Sequence, residues 1–166
     1  MKTGCVHIIY GPIGSGKTTL ALEKSRYHKV VKFSSDKWFR NLYMDDMHGI
    51  ADMGWVKERI ARCEFQIWHV AKQSLDMGAD VIFDFGLAKK SDRMRLYDEC
   101  QRLNYRCRFY YLSADVEVRR DRVVKRNQGL CEAFEFVVSP EMFEATNRMF
   151  EEPDEQELRF TKILNT

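Results

Sequence analysis

The chain has 166 residues, 45% of them hydrophobic and 31% charged, the size and make-up of one globular domain with a proper core. A formal net charge of +2 argues neither for a nucleic-acid partner nor against one. The five cysteines (Cys5, Cys63, Cys100, Cys107, Cys131) are odd in number, lack C-x-x-C spacing and argue against structural zinc; with no apolar stretch of signal-peptide or membrane-span length, a soluble, cytoplasmic protein is expected.

In chain order, Cys5-Val-His-Ile-Ile-Tyr10 is an apolar run fit for a buried parallel strand, and Thr18 to Ser25 is good helix material. Val30-Val-Lys-Phe-Ser34 is a second strand, after which Ser34, Ser35 and Asp36 start a helix carrying Trp38, Phe39, Leu42 and Tyr43. From Gly54 an apolar stripe (Val56, Ile60, Cys63, Ile67, Val70, Leu75) predicts a long amphipathic helix ending near Met77-Gly78. Val81 to Phe85 is the third strand. Ser91 and Asp92 are expected to cap a helix running to about Asn104, and Cys107 to Leu112 is the fourth strand. A basic helix from about Asp115 to Gln128 follows, then a less regular stretch to Val138, and a helix opened by Ser139-Pro140. Glu151 to Glu157 reads as acidic and turn-like, and Leu158 to Leu164 as a fifth strand. Strands alternating with helices imply a single three-layer α/β/α domain over residues 1–166, with a five-stranded parallel sheet and ligands at the carboxyl ends of its strands.

Gly11-Pro-Ile-Gly-Ser-Gly-Lys-Thr18 fits G-x-x-x-x-G-K-[ST] at every fixed position, between a strand and a helix as a P-loop requires. Glycines let successive N–H groups turn toward one phosphate, and the helix start adds its positive dipole end. Gly11, Ile13, Gly14, Ser15, Gly16, Lys17, Thr18 and Thr19 are therefore expected to bind a nucleoside triphosphate, with Lys17 on its outer phosphates and Thr18 on Mg²⁺. Asp84, closing a hydrophobic strand, resembles the Walker B acid that acts on Mg²⁺, the alternative being a turn or helix cap. Asp36, one helical turn before Arg40, reads as a general base for an attacking hydroxyl or, alternatively, as a helix N-cap. Arg119, Arg122 and Arg126 share a helix face, which suits either a solvated surface or a mobile lid, expected around 115–138, that brings guanidinium groups to the transferred phosphoryl.

The P-loop, the Ser35-Asp36 step, Val81-Ile-Phe-Asp-Phe-Gly86, Arg93, Tyr111-Leu112 and Arg122-Val-Val-Lys-Arg-Asn127 together resemble the P-loop kinase group of polynucleotide 5′-hydroxyl kinases, zeta toxins and chloramphenicol phosphotransferase. That resemblance implies a nucleoside-monophosphate-kinase-like core, ATP or GTP with Mg²⁺ as cofactors, Lys17, Asp36, Arg122 and Arg126 in catalysis, and Arg119 near the nucleotide. It also implies an acceptor site near Asp36, Trp38, Arg40 and Arg93. The chain departs from the Asp-x-x-Arg of polynucleotide kinases, reading Asp36-Lys-Trp-Phe-Arg40, one residue longer. A small-molecule hydroxyl acceptor is the first expectation; a nucleic-acid 5′ end and a regulatory switch with slow hydrolysis are the alternatives. Trp38, Phe39, Tyr43 and Trp55 would either line an acceptor pocket or serve as core, and His48 is a distant candidate near the acceptor.

Overall fold

The computed structural model describes residues 4–27, 29–47, 52–129 and 137–166; His28, His48, Cys131 and part of the expected lid lie outside them. The elements run β1 (Cys5–Tyr10), α1 (Lys17–Tyr27), β2 (Val30–Ser34), α2 (Ser35–Tyr43), α3 (Met53–Asp76), β3 (Asp80–Asp84) and α4 (Lys90–Arg102). They continue as β4 (Arg106–Ser113), α5 (Val116–Asn127), α6 (Pro140–Met149), α7 (Glu155–Leu158) and β5 (Thr161–Asn165). The five strands form one parallel sheet in the order β2-β3-β1-β4-β5.

All of β1 is buried, as expected for a central strand covered on both faces, where apolar runs replace alternation. One face presents Val6, Ile8, Phe83 and Phe109 to Ile67, Ala71 and Leu75 of α3 and to Leu96 and Cys100 of α4. The other presents Ile9, Ile82, Tyr110 and Leu112 to Leu20 and Ala21 of α1. A third cluster, Val123, Val138 and Phe143, joins α5 to α6 beside Ile13. The chain leaves β1 towards β2 on one side and β3 crosses to β4 on the other, so the crevice at the strand ends opens between β1 and β3.

Two expectations from the sequence are corrected, the cap of α4 and the acidic stretch before β5, and one open alternative is decided. Ser91 and Asp92 do not cap α4: the N-cap is Lys89, without a side-chain bond, and the Lys90 amide donates to Glu151 Oε2 at 2.7 Å. The acidic stretch after α6 is accordingly a clamp, Glu151 and Asp154 pairing with Lys89 and Lys90 at 3.0 and 2.5 Å. Asp154 and Glu157 then form a capping box that winds 155–158 into α7, so β5 starts only at Thr161. The aromatics of the acceptor region pack inward. Trp38 meets Phe33 edge-on at 6.5 Å against the core, while Phe39, Tyr43 and Trp55 contact one another between α2 and α3.

Candidate active site

The P-loop joins β1 to α1 at the crevice. Gly14 and Gly16 have φ of 79° and 91°, conformations that an L side chain rarely adopts. At Gly14 a Cβ would also lie 2.5 Å from the Arg119 carbonyl oxygen, so α5 closes directly on the loop. Ser15 is fully buried and its Oγ has no hydrogen-bond partner among the described residues, a donor left over within the loop. Lys17 folds back to donate to the carbonyls of Gly11 and Pro12 at 2.9 and 3.0 Å. Burial presses its pKa down to about 8, and the carboxylates of Asp84 and Asp36 act in the opposite direction.

Gly11, Ile13, Gly14, Ser15, Gly16, Lys17, Thr18 and Thr19 all border one cleft of about 790 Å³, a volume within the range of small-ligand sites. Asp36 and Asp84 border it from α2 and β3, and Arg122 and Arg126 from α5. Asp36 is not the N-cap of α2; that role falls to Ser34, whose Oγ accepts from the Lys37 amide. Asp84 is nearly buried and its Oδ2 lies 3.2 Å from Lys32 Nζ. Arg122 donates to the Thr166 hydroxyl at 3.0 Å, and that hydroxyl donates to the Ser15 carbonyl at 3.1 Å. Arg126, on the cleft wall, has its Nε shielded from solvent with no partner among the described residues. Buried orphan donors on two sides suit an anionic guest.

Four expected site residues stand elsewhere. Arg119 is buried and braces the P-loop, donating to the carbonyls of Ala114 (3.0 Å) and Ile13 (3.2 Å) and to Asn147 Oδ1 (2.9 Å). Arg93 is fully buried, in a bidentate pair with Glu157 at 2.6 and 3.0 Å, with Nη1 on the Leu87 and Ala88 carbonyls, and so supports the cleft wall from behind. Trp38 belongs to the core, and Arg40, half-buried in the last turn of α2, does not border the cleft. Thr166 and Lys32 were missed: one lies far along the sequence from the loop it touches, the other is the single charged residue of β2.

The residues fit the cofactors that a P-loop implies. Thr18 and Asp84 offer hard oxygen donors on the same cleft, and Mg²⁺ characteristically takes one or two such ligands plus phosphate and water. Among the described residues no group of three His, Cys, Asp or Glu side chains could hold a metal, and no helix is long and apolar enough to cross a membrane.

The family model AAA_33, described as an AAA domain, matches residues 6–153. No curated protein sequence matches the chain. Among solved structures, Kti12 of Chaetomium thermophilum, in complex with ADP-AlF3, is similar with a TM-score of 0.67 at 19% identity, over 97% of this chain and 88% of that one. A sugar kinase from Janibacter sp. HTCC2649 gives a TM-score of 0.62 at 18% identity, over 98% and 85% of the two chains. A chain of the Pnkp1/Rnl/Hen1 RNA repair complex gives 0.61 at 22%, over 90% and 44%. At these identities the likeness is one of fold alone, the α/β P-loop fold.

Proposed function

The chain belongs to the AAA domain family AAA_33, and from that membership and the geometry of the cleft we propose that it is an ATP- or GTP-dependent phosphotransferase that moves the γ-phosphoryl group to a hydroxyl of a small-molecule acceptor, nucleoside-like, sugar-like or antibiotic-like. The reading is carried by one cleft that the P-loop, Asp36 of α2 and Arg122 and Arg126 of α5 all border. Phosphoryl transfer asks the protein mainly to position groups and to offset charge, and this set suffices.

In the proposed step the acceptor O–H gives its proton to the Asp36 carboxylate as its oxygen bonds the γ-phosphorus. The bond from that phosphorus to the bridging oxygen breaks, and the nucleoside diphosphate leaves. P-loop amides and Lys17 hold the β- and γ-phosphates, Lys17 exchanging its carbonyl partners for phosphate oxygens. Arg126, and Arg122 once released from Thr166, offset the charge spread over the transferred group. Bound at Thr18 and Asp84, Mg²⁺ would neutralise phosphate charge. Closure of the expected lid would have to pivot beyond Arg119, whose bonds to the P-loop anchor the start of α5.

The test is γ-labelled ATP or GTP with Mg²⁺ and a broad panel of hydroxyl compounds and oligonucleotides, with Lys17→Ala as the blank. Label should appear in a small hydroxyl compound and fall by about 10²-fold or more in Asp36→Asn. Label in oligonucleotide 5′ ends alone would make the protein a nucleic-acid end kinase, and hydrolysis without any acceptor would make it a switch.

A further inference from the structure

Lys32 is the one charged residue of β2, an edge strand whose Phe33 faces the core on the opposite side. In the register of β2 on β3, Lys32 stands opposite Ile82 and Ser34 opposite Asp84, so Lys32 and Asp84 are diagonal neighbours on the face toward α1. The ammonium reaches along that face to Asp84 Oδ2 at 3.2 Å, with 18% of its side chain exposed and 8% of the aspartate's. A charge pair so shielded is screened little by salt and holds its geometry. It also puts a fixed cation beside a carboxylate that borders the phosphate cleft together with Thr18.

Resting on the reading of this cleft as a magnesium-nucleotide site, we propose that Lys32 is a positioning residue that sets the magnesium requirement of nucleotide binding. It engages Asp84 Oδ2 and so holds the carboxylate in place on the cleft that Thr18 also borders before any ion arrives. Its charge also opposes a dication bound there, and in the absence of one it offsets part of the repulsion between Asp84 and the phosphates. Nucleotide binding by the native protein is thus less dependent on Mg²⁺ than the P-loop and Asp84 would make it alone.

The measurement is ATP affinity by calorimetry across a Mg²⁺ titration and in EDTA, for wild type, Lys32→Met, Lys32→Arg, Asp84→Asn and the double variant Lys32→Met/Asp84→Asn. Lys32→Met should lower the half-saturating Mg²⁺ concentration about tenfold, the order expected for removing one nearby charge from a half-buried site, and should weaken binding in EDTA several-fold. Lys32→Arg should stay within about twofold of wild type, and the effect of Lys32→Met should vanish on the Asp84→Asn background. Should Lys32→Met not fold, Lys32→Gln is read in the same way. A half-saturation point unchanged in a folded Lys32→Met, or the same shift with Asp84 already replaced, overturns the role of Lys32 while leaving the nucleotide site standing. Wild-type protein that binds neither ATP nor GTP at any Mg²⁺ concentration overturns both; if only GTP binds, the same series is read with GTP.

Discussion

Lys17 sits in the cleft with its ammonium bound, among the described residues, to the backbone carbonyl oxygens of Gly11 and Pro12, and burial lowers its pKa to about 8. A phosphate chain placed there restores the protonated form, because a nearby opposite charge favours the ion. Above the lowered pKa and below the ordinary lysine value, nucleotide binding should therefore take up a proton. With a nucleotide-free pKa of about 8, uptake at pH 9 approaches about 0.9 proton per site and at pH 7 about 0.1. Calorimetry of Mg-ATP binding in buffers of different ionisation enthalpy reads this directly. Lys17→Arg, cationic throughout that range, should show no uptake. The sign for folding follows from the same shift: the unfolded chain binds the Lys17 proton more tightly, so this group's contribution to stability rises with pH from about 8 to the ordinary lysine value. Equal uptake in the arginine variant would show that another group titrates.

Elements differ in how local their causes are, and that decides what could be read in advance. β1, β2 and the P-loop were legible because apolar runs and glycine spacing carry their own signal within a few residues. The start of α4 was not, because its amide partner Glu151 lies 61 residues further along the chain. Arg93, expected at the acceptor, and Arg119, expected near the nucleotide, show a related limit: the sequence does not reveal that Glu157, or the carbonyl of Ile13, engages the guanidinium, because those partners are set by tertiary packing. Asp36 was placed correctly at the start of a helix facing the loop, but its neighbour Ser34 supplies the cap. The Arg93–Glu157 pair joins α4 to α7 with side chains 0% and 1% exposed. Arg93→Met should leave a buried, uncompensated carboxylate and lower stability by about 3–5 kcal/mol. The double change Arg93→Met/Glu157→Leu should recover most of that loss, since an apolar pair of similar volume needs no charge balance. Urea unfolding of both variants tests it, and a double variant no more stable than the single would show that the pair is itself a net stabiliser.

Across the whole molecule the cleft has two walls with different attachments. One is the P-loop with α5 and α6, linked by Arg119, which touches Ile13 in the loop and Asn147 on α6, and by the shared apolar cluster of Val123, Val138 and Phe143. The other is α2 packed on α3, bearing Asp36. A nucleotide ordering the P-loop should therefore order α5 and α6 with it, because opening energies are shared within a contiguous cooperative unit. Amide exchange with Mg²⁺ and a non-hydrolysable nucleotide should show protection rising in the loop and in residues 116–127 and 140–149 together. The wall formed by α2 and α3 should respond only when an acceptor is added. In Arg119→Met, which keeps much of the side-chain bulk but removes the donors, protection should still rise in the loop but no longer in α6. Protection confined to the P-loop in the wild-type protein would mean that Arg119 is a passive brace and that the two walls close, if they close at all, by another route.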